Sequence, residues 1–201
     1  MIRFNISGVL ALALLLGCLP RGVAAADKPH VLFETSKGNI ELELYPDKAP
    51  VTVANFLAYV KRGFYDGTVF HRTVYQWIIQ GGGYDVEYSP RDTDPPIKNE
   101  AGNGLKNTRG TIAMARTWEP DSADSQFFVN LIDNPTFDHR NDTKRGFGYC
   151  VFGRVVAGLE IADAIGDVET HELEDFGASV PVEPVVLIRA TLQSAETPAG
   201  Q

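Results

Sequence analysis

The sequence predicts a mainly β fold, a closed eight-stranded antiparallel β-barrel with two short α-helices covering its ends. The chain has 201 residues, of which 44% are hydrophobic and 22% charged, so it suits one domain with a sizeable core. Its 19 glycines and 12 prolines indicate many turns, which favours a β-rich fold over a helix bundle. Closure is the economical arrangement for many short strands because it leaves no sheet edge exposed.

Strand character begins with a predicted hairpin over residues 31–35 and 40–44. The second of these runs alternates apolar and acidic residues, as a strand with one buried and one solvated face does. Further strand-like runs lie at residues 68–74, 77–80, 110–115, 126–131, 149–156 and 185–192. The first predicted helix starts at Pro50 and ends before Gly63, and the second covers residues 160–165.

Long segments without strand character separate several of these runs. They are residues 84–104, 117–124, 133–148 and 167–184, and they are rich in Pro, Asp, Asn and Gly. We expect loops there, and loops of this length in a compact domain usually carry function or motion.

Charge and composition exclude several classes of function. There are 18 basic and 26 acidic residues, a net charge of −8, which argues against nucleic acid or anionic lipid as the main partner. Two cysteines cannot form a disulfide framework, and the four histidines are scattered, so we expect no metal and no cofactor. Ser125 lacks the sequence context of a catalytic nucleophile, so covalent chemistry is not expected.

The first 26 residues have the features of a signal peptide. Arg3 gives a positive start, residues 8–19 are apolar or small but too few to span a bilayer, and Ala24-Ala25-Ala26 fits a signal-peptidase site. We therefore expect export to the periplasm of a mature chain of residues 27–201.

Lipid anchoring is the alternative for this leader. Leu15-Leu16-Gly17-Cys18 resembles a bacterial lipobox, in which Cys18 would be lipidated and the protein held at the membrane. In either case the predicted domain core covers about residues 31–192, and residues 193–201 form a flexible tail.

Six sequence motifs carry most of the functional information. They are FHRTVYQWIIQGGG at residues 70–83, PIKNEA at 96–101, NTRG at 107–110, GTIAMA at 110–115, SQFFV at 125–129 and FGYCVFGRV at 147–155. In this order the motifs closely resemble the cyclophilin-type peptidyl-prolyl cis-trans isomerases, most of all the exported bacterial members. The resemblance implies an enzyme that accelerates rotation of X-Pro bonds in unfolded or flexible exported proteins, without a cofactor.

The resemblance also implies which residues form the site. Arg72 corresponds to the catalytic arginine of the family, Gln80 to the glutamine that contacts the substrate backbone, and Phe128 to a wall of the proline pocket. The substrate-binding residues it implies are Trp77, Ile78, Ala115, Gln126, Phe137 and Tyr149. Proline-containing polypeptides are the expected partners, and we expect the protein to be a monomer.

Some positions depart from the family pattern. Trp77 stands where many members have phenylalanine, and Tyr149 where many eukaryotic members have histidine. Thr136 stands where cyclosporin-sensitive members have tryptophan, so we expect weak cyclosporin binding. Residues 138–145 form a long, charged stretch.

A second function remains open for the same fold. The alternative is a chaperone or scaffold that captures proline-containing segments without turnover. The departures from the family pattern at Trp77 and Tyr149 support this alternative. The joint presence of Arg72, Gln80 and Phe128 favours the enzyme, because a degenerate member is expected to lose its arginine first.

Overall fold

The computed structural model describes residues 28–193. The predicted signal peptide, the alternative lipidation at Cys18, and residues 194–201 of the predicted tail lie outside this range. No helix within residues 28–193 has both the length and the apolar character needed to cross a membrane.

The described residues form eleven strands and two α-helices. The strands are β1 (His30–Thr35), β2 (Gly38–Leu44), β3 (Thr68–Val69), β4 (Arg72–Val74), β5 (Ile78–Gly81), β6 (Thr111–Met114), β7 (Phe127–Asn130), β8 (Val151–Ala157), β9 (Thr170–Leu173), β10 (Gly177–Pro181) and β11 (Val186–Gln193). The helices are α1 (Pro50–Lys61) and α2 (Leu159–Gly166), with short 3-10 helices at Ala101–Asn103 and Pro135–Phe137. The predicted helices and all but one of the predicted strands are therefore present, with small differences at their ends.

Nine strands form one curled antiparallel sheet in the order β3-β11-β1-β2-β8-β6-β7-β5-β4. Its two edge strands, β3 and β4, follow one another in the chain and are joined by only Phe70 and His71. The Val69 amide of β3 donates to the Tyr84 carbonyl, 2.9 Å away, just beyond β5. The mainly β barrel-like fold is thus confirmed, but two details differ from the prediction. The predicted strand 68–74 is broken in two, so the sheet has nine strands rather than eight, and the sheet is curled with edge strands β3 and β4 instead of a fully closed barrel.

The segment 167–184 differs from the sequence prediction. It contains β9 and β10, which pair as a separate two-stranded ribbon. Most side chains of these strands are exposed, so no alternation of apolar and polar residues marks them in the sequence. The ribbon is held to the barrel by Phe176, whose ring centre lies 4.8 Å from that of Tyr84 and 5.9 Å from that of His71.

Aromatic side chains fill the interior of the curled sheet. Phe56 of α1 has its ring centre 5.0 Å from that of Phe152, 6.0 Å from that of Phe127 and 6.1 Å from that of Phe33. All four of these side chains are fully buried. Helix α1 therefore covers the core with its apolar face, as the spacing of its apolar residues predicts.

Helix α1 is fixed at its start by a carboxylate from another part of the chain. Glu100 accepts hydrogen bonds from the backbone amides of Val51 and Thr52, at 3.2 and 2.8 Å, and from the Thr52 hydroxyl at 2.7 Å. These bonds satisfy amides that a helix start leaves without partners, and the negative charge suits the helix dipole.

The single cysteine of the described range is a core residue. Cys150 is buried beside Thr52, and this burial raises the pKa of its thiol to about 11. The thiol is therefore protonated and unreactive at neutral pH.

Candidate active site

A row of residues crosses four neighbouring strands on the outer face of the sheet. Arg72 of β4 is paired with Gln80 of β5, Gln80 with Phe128 of β7, and Phe128 with Ala113 of β6. Side chains of directly paired residues in an antiparallel sheet lie on the same face. The register therefore brings a guanidinium, an amide and an aromatic ring side by side.

An apolar cluster, here called the outer pocket, surrounds Phe128 on this face. It is distinct from the interior core and consists of the buried Ile78, Ala113, Phe128 and Val151 with the partly buried Val74, Trp77, Leu105, Ala115, Phe137 and Tyr149. Phe137 is central, because its ring centre lies 5.0 Å from that of Tyr149, 5.4 Å from that of Trp77 and 5.6 Å from that of Phe128. The rings of Phe128 and Tyr149 lie 5.5 Å apart.

A chain of polar side chains borders the outer pocket. Arg72 Nη1 donates a long hydrogen bond to Gln80 Oε1 at 3.4 Å, and Gln80 Nε2 donates to Gln126 Oε1 at 3.0 Å. The guanidinium carbon of Arg72 also lies 5.4 Å from the ring centre of Trp77. Within residues 28–193 the Arg72 guanidinium has no other hydrogen-bond acceptor, so its remaining donors are available to a ligand.

The glycines after Gln80 make room for this polar chain. A Cβ at Gly83 would lie 2.7 Å from Gln126 Cγ, which is closer than real side chains approach. The run of glycines at 81–83 therefore reflects close packing, and a larger residue at Gly83 would displace Gln126.

Burial controls the electrostatics of the site. It lowers the pKa of Arg72, with Tyr149 acting in the opposite direction, but arginine remains protonated at neutral pH. Burial, and then the charge of Arg72, lower the pKa of His71 from 6.5 to about 4, against a backbone hydrogen bond at Val69. The His71 imidazole is thus neutral at pH 7 and adds no second charge beside Arg72.

All the site residues named from the sequence lie at or beside the outer pocket. Ile78, Phe128, Trp77, Phe137 and Tyr149 form its walls. Ala115 lies at its edge, and its amide donates to the Gln126 carbonyl at 2.9 Å, which extends the pairing of β6 with β7.

Sequence reasoning missed two kinds of residue here. The first are the small or aliphatic members of the outer pocket, namely Val74, Leu105, Ala113 and Val151, which read as ordinary strand or loop residues. The second is Arg116, whose guanidinium carbon lies 4.8 Å from the ring centre of Tyr149. Its position directly after Ala115 was the only available signal.

The described residues also show what the site lacks. No group of three or more His, Cys, Asp or Glu side chains within residues 28–193 is arranged to hold a metal ion. The arrangement offers a cation beside an apolar pocket for a ring, bordered by amides that can bind a peptide backbone.

Comparisons with known proteins agree with this geometry. Residues 30–192 match the family described as "Cyclophilin type peptidyl-prolyl cis-trans isomerase/CLD". Peptidyl-prolyl cis-trans isomerase A of Dickeya dadantii is 52% identical over 169 residues, covering 84% of this chain and 87% of that protein. Peptidyl-prolyl cis-trans isomerase B of Escherichia coli is 46% identical over 162 residues, covering 81% of this chain and 98% of that protein.

Solved structures support the fold independently. The crystal structure of a cyclophilin-type peptidyl-prolyl cis-trans isomerase of Cryptosporidium parvum matches with a TM-score of 0.67 at 24% identity, covering 83% of this chain and 98% of that one. With relatives named as isomerases, a non-catalytic binding module is not favoured. The chain therefore belongs to the cyclophilin-type peptidyl-prolyl cis-trans isomerases, enzymes that interconvert the cis and trans forms of the peptide bond before proline.

Proposed function

We propose that the outer pocket holds the proline ring of an X-Pro segment while Arg72 stabilises the twisted amide. The barrier to rotation, about 18–20 kcal/mol, comes from amide resonance. As the bond twists, the proline nitrogen regains a lone pair that a fixed hydrogen-bond donor can stabilise. The register that places Arg72 beside Gln80 and Phe128 is the observation that carries this proposal.

The other side chains have separate roles in this proposal. Phe128, Ile78, Phe137 and Trp77 grip the ring and exclude water, which strengthens the electrostatic contact of Arg72 with the amide. Gln80 positions the guanidinium and binds the substrate backbone, and Gln126 orients Gln80. The backbone at Ala115 offers a second contact to the peptide.

The magnitudes require more than one contribution. Acceleration from about 10⁻² to about 10³ per second is about five decades, or about 7 kcal/mol. One preorganised donor supplies about 3–4 kcal/mol. The rest is assigned to holding the peptide desolvated and partly twisted in the outer pocket.

Replacing the arginine tests the proposal. In an NMR-exchange assay on Ala-Pro peptides, Arg72→Ala in the 27–201 chain should lower kcat/KM by on the order of 10²–10³. Arg72→Lys should rescue this only in part, because the planar fork is lost. Arg189→Ala, at an exposed position of β11, is the matched control and should keep full activity. Full activity of Arg72→Ala with unchanged thermal unfolding would refute the assignment.

We further propose that the enzyme acts outside the cytoplasm as a soluble monomer on unfolded or flexible exported proteins. The leader of residues 1–26, with its Ala24-Ala25-Ala26 site, supports export and a mature start at Asp27. Intact-mass measurement of the native protein tests the start, and light scattering tests the monomer. A mass that fits an acylated Cys18 start would overturn the soluble form in favour of a lipoprotein.

A further inference from the structure

A cavity lies directly beside the apolar cluster of the outer pocket. It has a volume of about 530 Å³, and its lining includes four basic side chains and no acidic one. The basic residues are Arg116, Arg140, Lys144 and Arg145, and we call this site the basic cavity. Four cations around one cavity are unexpected in a chain whose net charge is −8, so the cavity is a local exception to the charge of the molecule.

Arg116 is the most firmly held of these cations. Its guanidinium donates to the carbonyls of Gly148 at 2.9 Å, Thr117 at 2.9 Å and Lys144 at 3.1 Å, and it lies over the ring of Tyr149. No carboxylate within residues 28–193 pairs with it. Its position is therefore fixed while its positive charge is not neutralised by an anion.

Three acidic side chains lie near the basic cavity without lining it. Glu119 pairs with Lys144 and so compensates one of the four cations, Asp138 lies 3.6 Å from Lys106, and Asp142 lies 3.7 Å from the His139 imidazole.

Arg140 and Arg145 are exposed, and their side chains form no ion pair or hydrogen bond within the described part of the chain. Together with Arg116 they leave the basic cavity with positive charge that an anionic ligand would balance.

The basic cavity and the outer pocket share two walls. Phe137 and Tyr149 line both, so a peptide whose proline contacts Phe128 has its neighbouring residues within reach of the cavity. Extended residues advance about 3.3 Å each, so one or two steps along the peptide cover the distance between adjoining sites.

We propose that the basic cavity binds an aspartate or glutamate side chain of the substrate, within a few residues of the proline. The inference rests on the proposed function, because it assumes that the proline occupies the outer pocket. Exposed charge pairs contribute modestly one at a time, so we expect the three uncompensated arginines together to favour an acidic residue about 5–20-fold in kcat/KM.

A peptide series tests this preference. In one neutral Ala-Pro host peptide, Glu, Gln or Lys is placed at each position flanking the proline, and kcat/KM is measured by NMR exchange. We expect Glu to exceed Gln about 5–20-fold at one position, Lys to be the poorest residue there, and the ratio to shrink at about 0.5 M salt. Equal rates for Glu and Gln at every position would overturn the inference.

Paired variants assign the preference to the cavity. Arg140→Gln combined with Arg145→Gln should reduce the Glu-to-Gln ratio to below about 2-fold. The control variant combines Arg154→Gln with Arg189→Gln and removes the same charge from exposed positions of β8 and β11. It should retain the wild-type ratio of kcat/KM for the Glu and Gln peptides. A ratio that survives in the cavity variant, or falls equally in the control, contradicts the inference.

The neutral host peptide separates this inference from the proposed function. A wild-type enzyme that turns over the neutral peptide but shows no preference for Glu overturns the inference alone. A wild-type enzyme that fails on the neutral peptide overturns the proposed function, and the inference that rests on it.

Discussion

The interior core and the outer pocket meet in one strand, β7, where Phe127 points into the first and Phe128 into the second. Phe127 is completely buried among the rings of Phe33, Phe56 and Tyr65, which come from β1, α1 and the loop after α1. Phe128 is also buried, but its ring neighbours are only partly buried: Phe137 ends the second 3-10 helix and Tyr149 lies in the loop before β8. Alternation along a strand thus places one ring in the interior core and the next in the outer pocket, where we propose that it contacts the substrate.

The two regions differ in how they are closed. The interior is enclosed by the curled sheet and α1, so each ring is surrounded by protein. The outer pocket instead includes aromatic rings that are only partly buried, namely Trp77, Phe137 and Tyr149, which leaves apolar surface for a ligand. Substitutions inside should therefore lower the free energy of unfolding, whereas substitutions outside should mainly lower activity.

The largest expected effect comes from the pair that defines this comparison. Phe127→Ala should lower the free energy of unfolding by about 3–5 kcal/mol, because it removes a buried ring and leaves a cavity. Phe128→Ala should lower the free energy of unfolding by less, because its ring neighbours are partly exposed, but should reduce kcat/KM more strongly. Urea unfolding and the isomerase assay measure the two quantities. Equal losses of stability would contradict the division between the regions.

His71 is buried between β3 and β4, beside the rings of Tyr84 and Phe176, and should make the stability of the protein depend on pH. Its pKa is about 4 in the fold against 6.5 normally, so between these values the unfolded chain binds a proton that the folded chain excludes. Stability is therefore lost as pH falls, by about 2–3 kcal/mol between pH 7 and about pH 4.5 from this residue.

A variant isolates this contribution from that of the carboxylates. Urea unfolding at the two pH values measures this contribution. Between them, His71→Gln should lose about 2–3 kcal/mol less free energy of unfolding than wild type. His171→Gln, at an exposed position of β9, is the control and should retain the wild-type dependence. If His71→Gln loses as much stability as wild type on acidification, the imidazole is not the group that titrates.

Much of the fold could be predicted because its signals are local. Alternation marks β2, and Pro50 and Gly63 bound α1 closely. The break between β3 and β4 left no trace, since Phe70 and His71 at the break are buried like the strand residues around them. The pairing of β9 with β10 also left none, because that ribbon hides little apolar surface.

The site was predictable to a different degree in its two parts. Most outer pocket residues fall in sequence motifs, so the resemblance identified its aromatic members together but not its small and aliphatic members, such as Leu105 and Val151. The basic cavity depends on how the charged stretch 138–145 folds back against Arg116, and the sequence showed only that the stretch is charged. Long-range contacts of this kind have no local signature.

The smallest expected effect comes from a substitution at Thr136, which would enlarge the outer pocket and leave the interior core unchanged. Thr136 is exposed next to Phe137 in the second 3-10 helix, and we propose that wild-type protein binds cyclosporin weakly because it lacks an indole there. Thr136→Trp should raise the affinity by about 1–3 kcal/mol if the indole gains both apolar contact and a polar partner. Its unfolding free energy should stay within about 0.5 kcal/mol of wild type, since the position is exposed.

Calorimetric titration measures the affinity for cyclosporin. Thr170→Trp on the exposed ribbon is the matched control and should bind cyclosporin as the wild type does. A nanomolar Kd for the wild type, or no gain in Thr136→Trp, would show that cyclosporin affinity does not depend on this position.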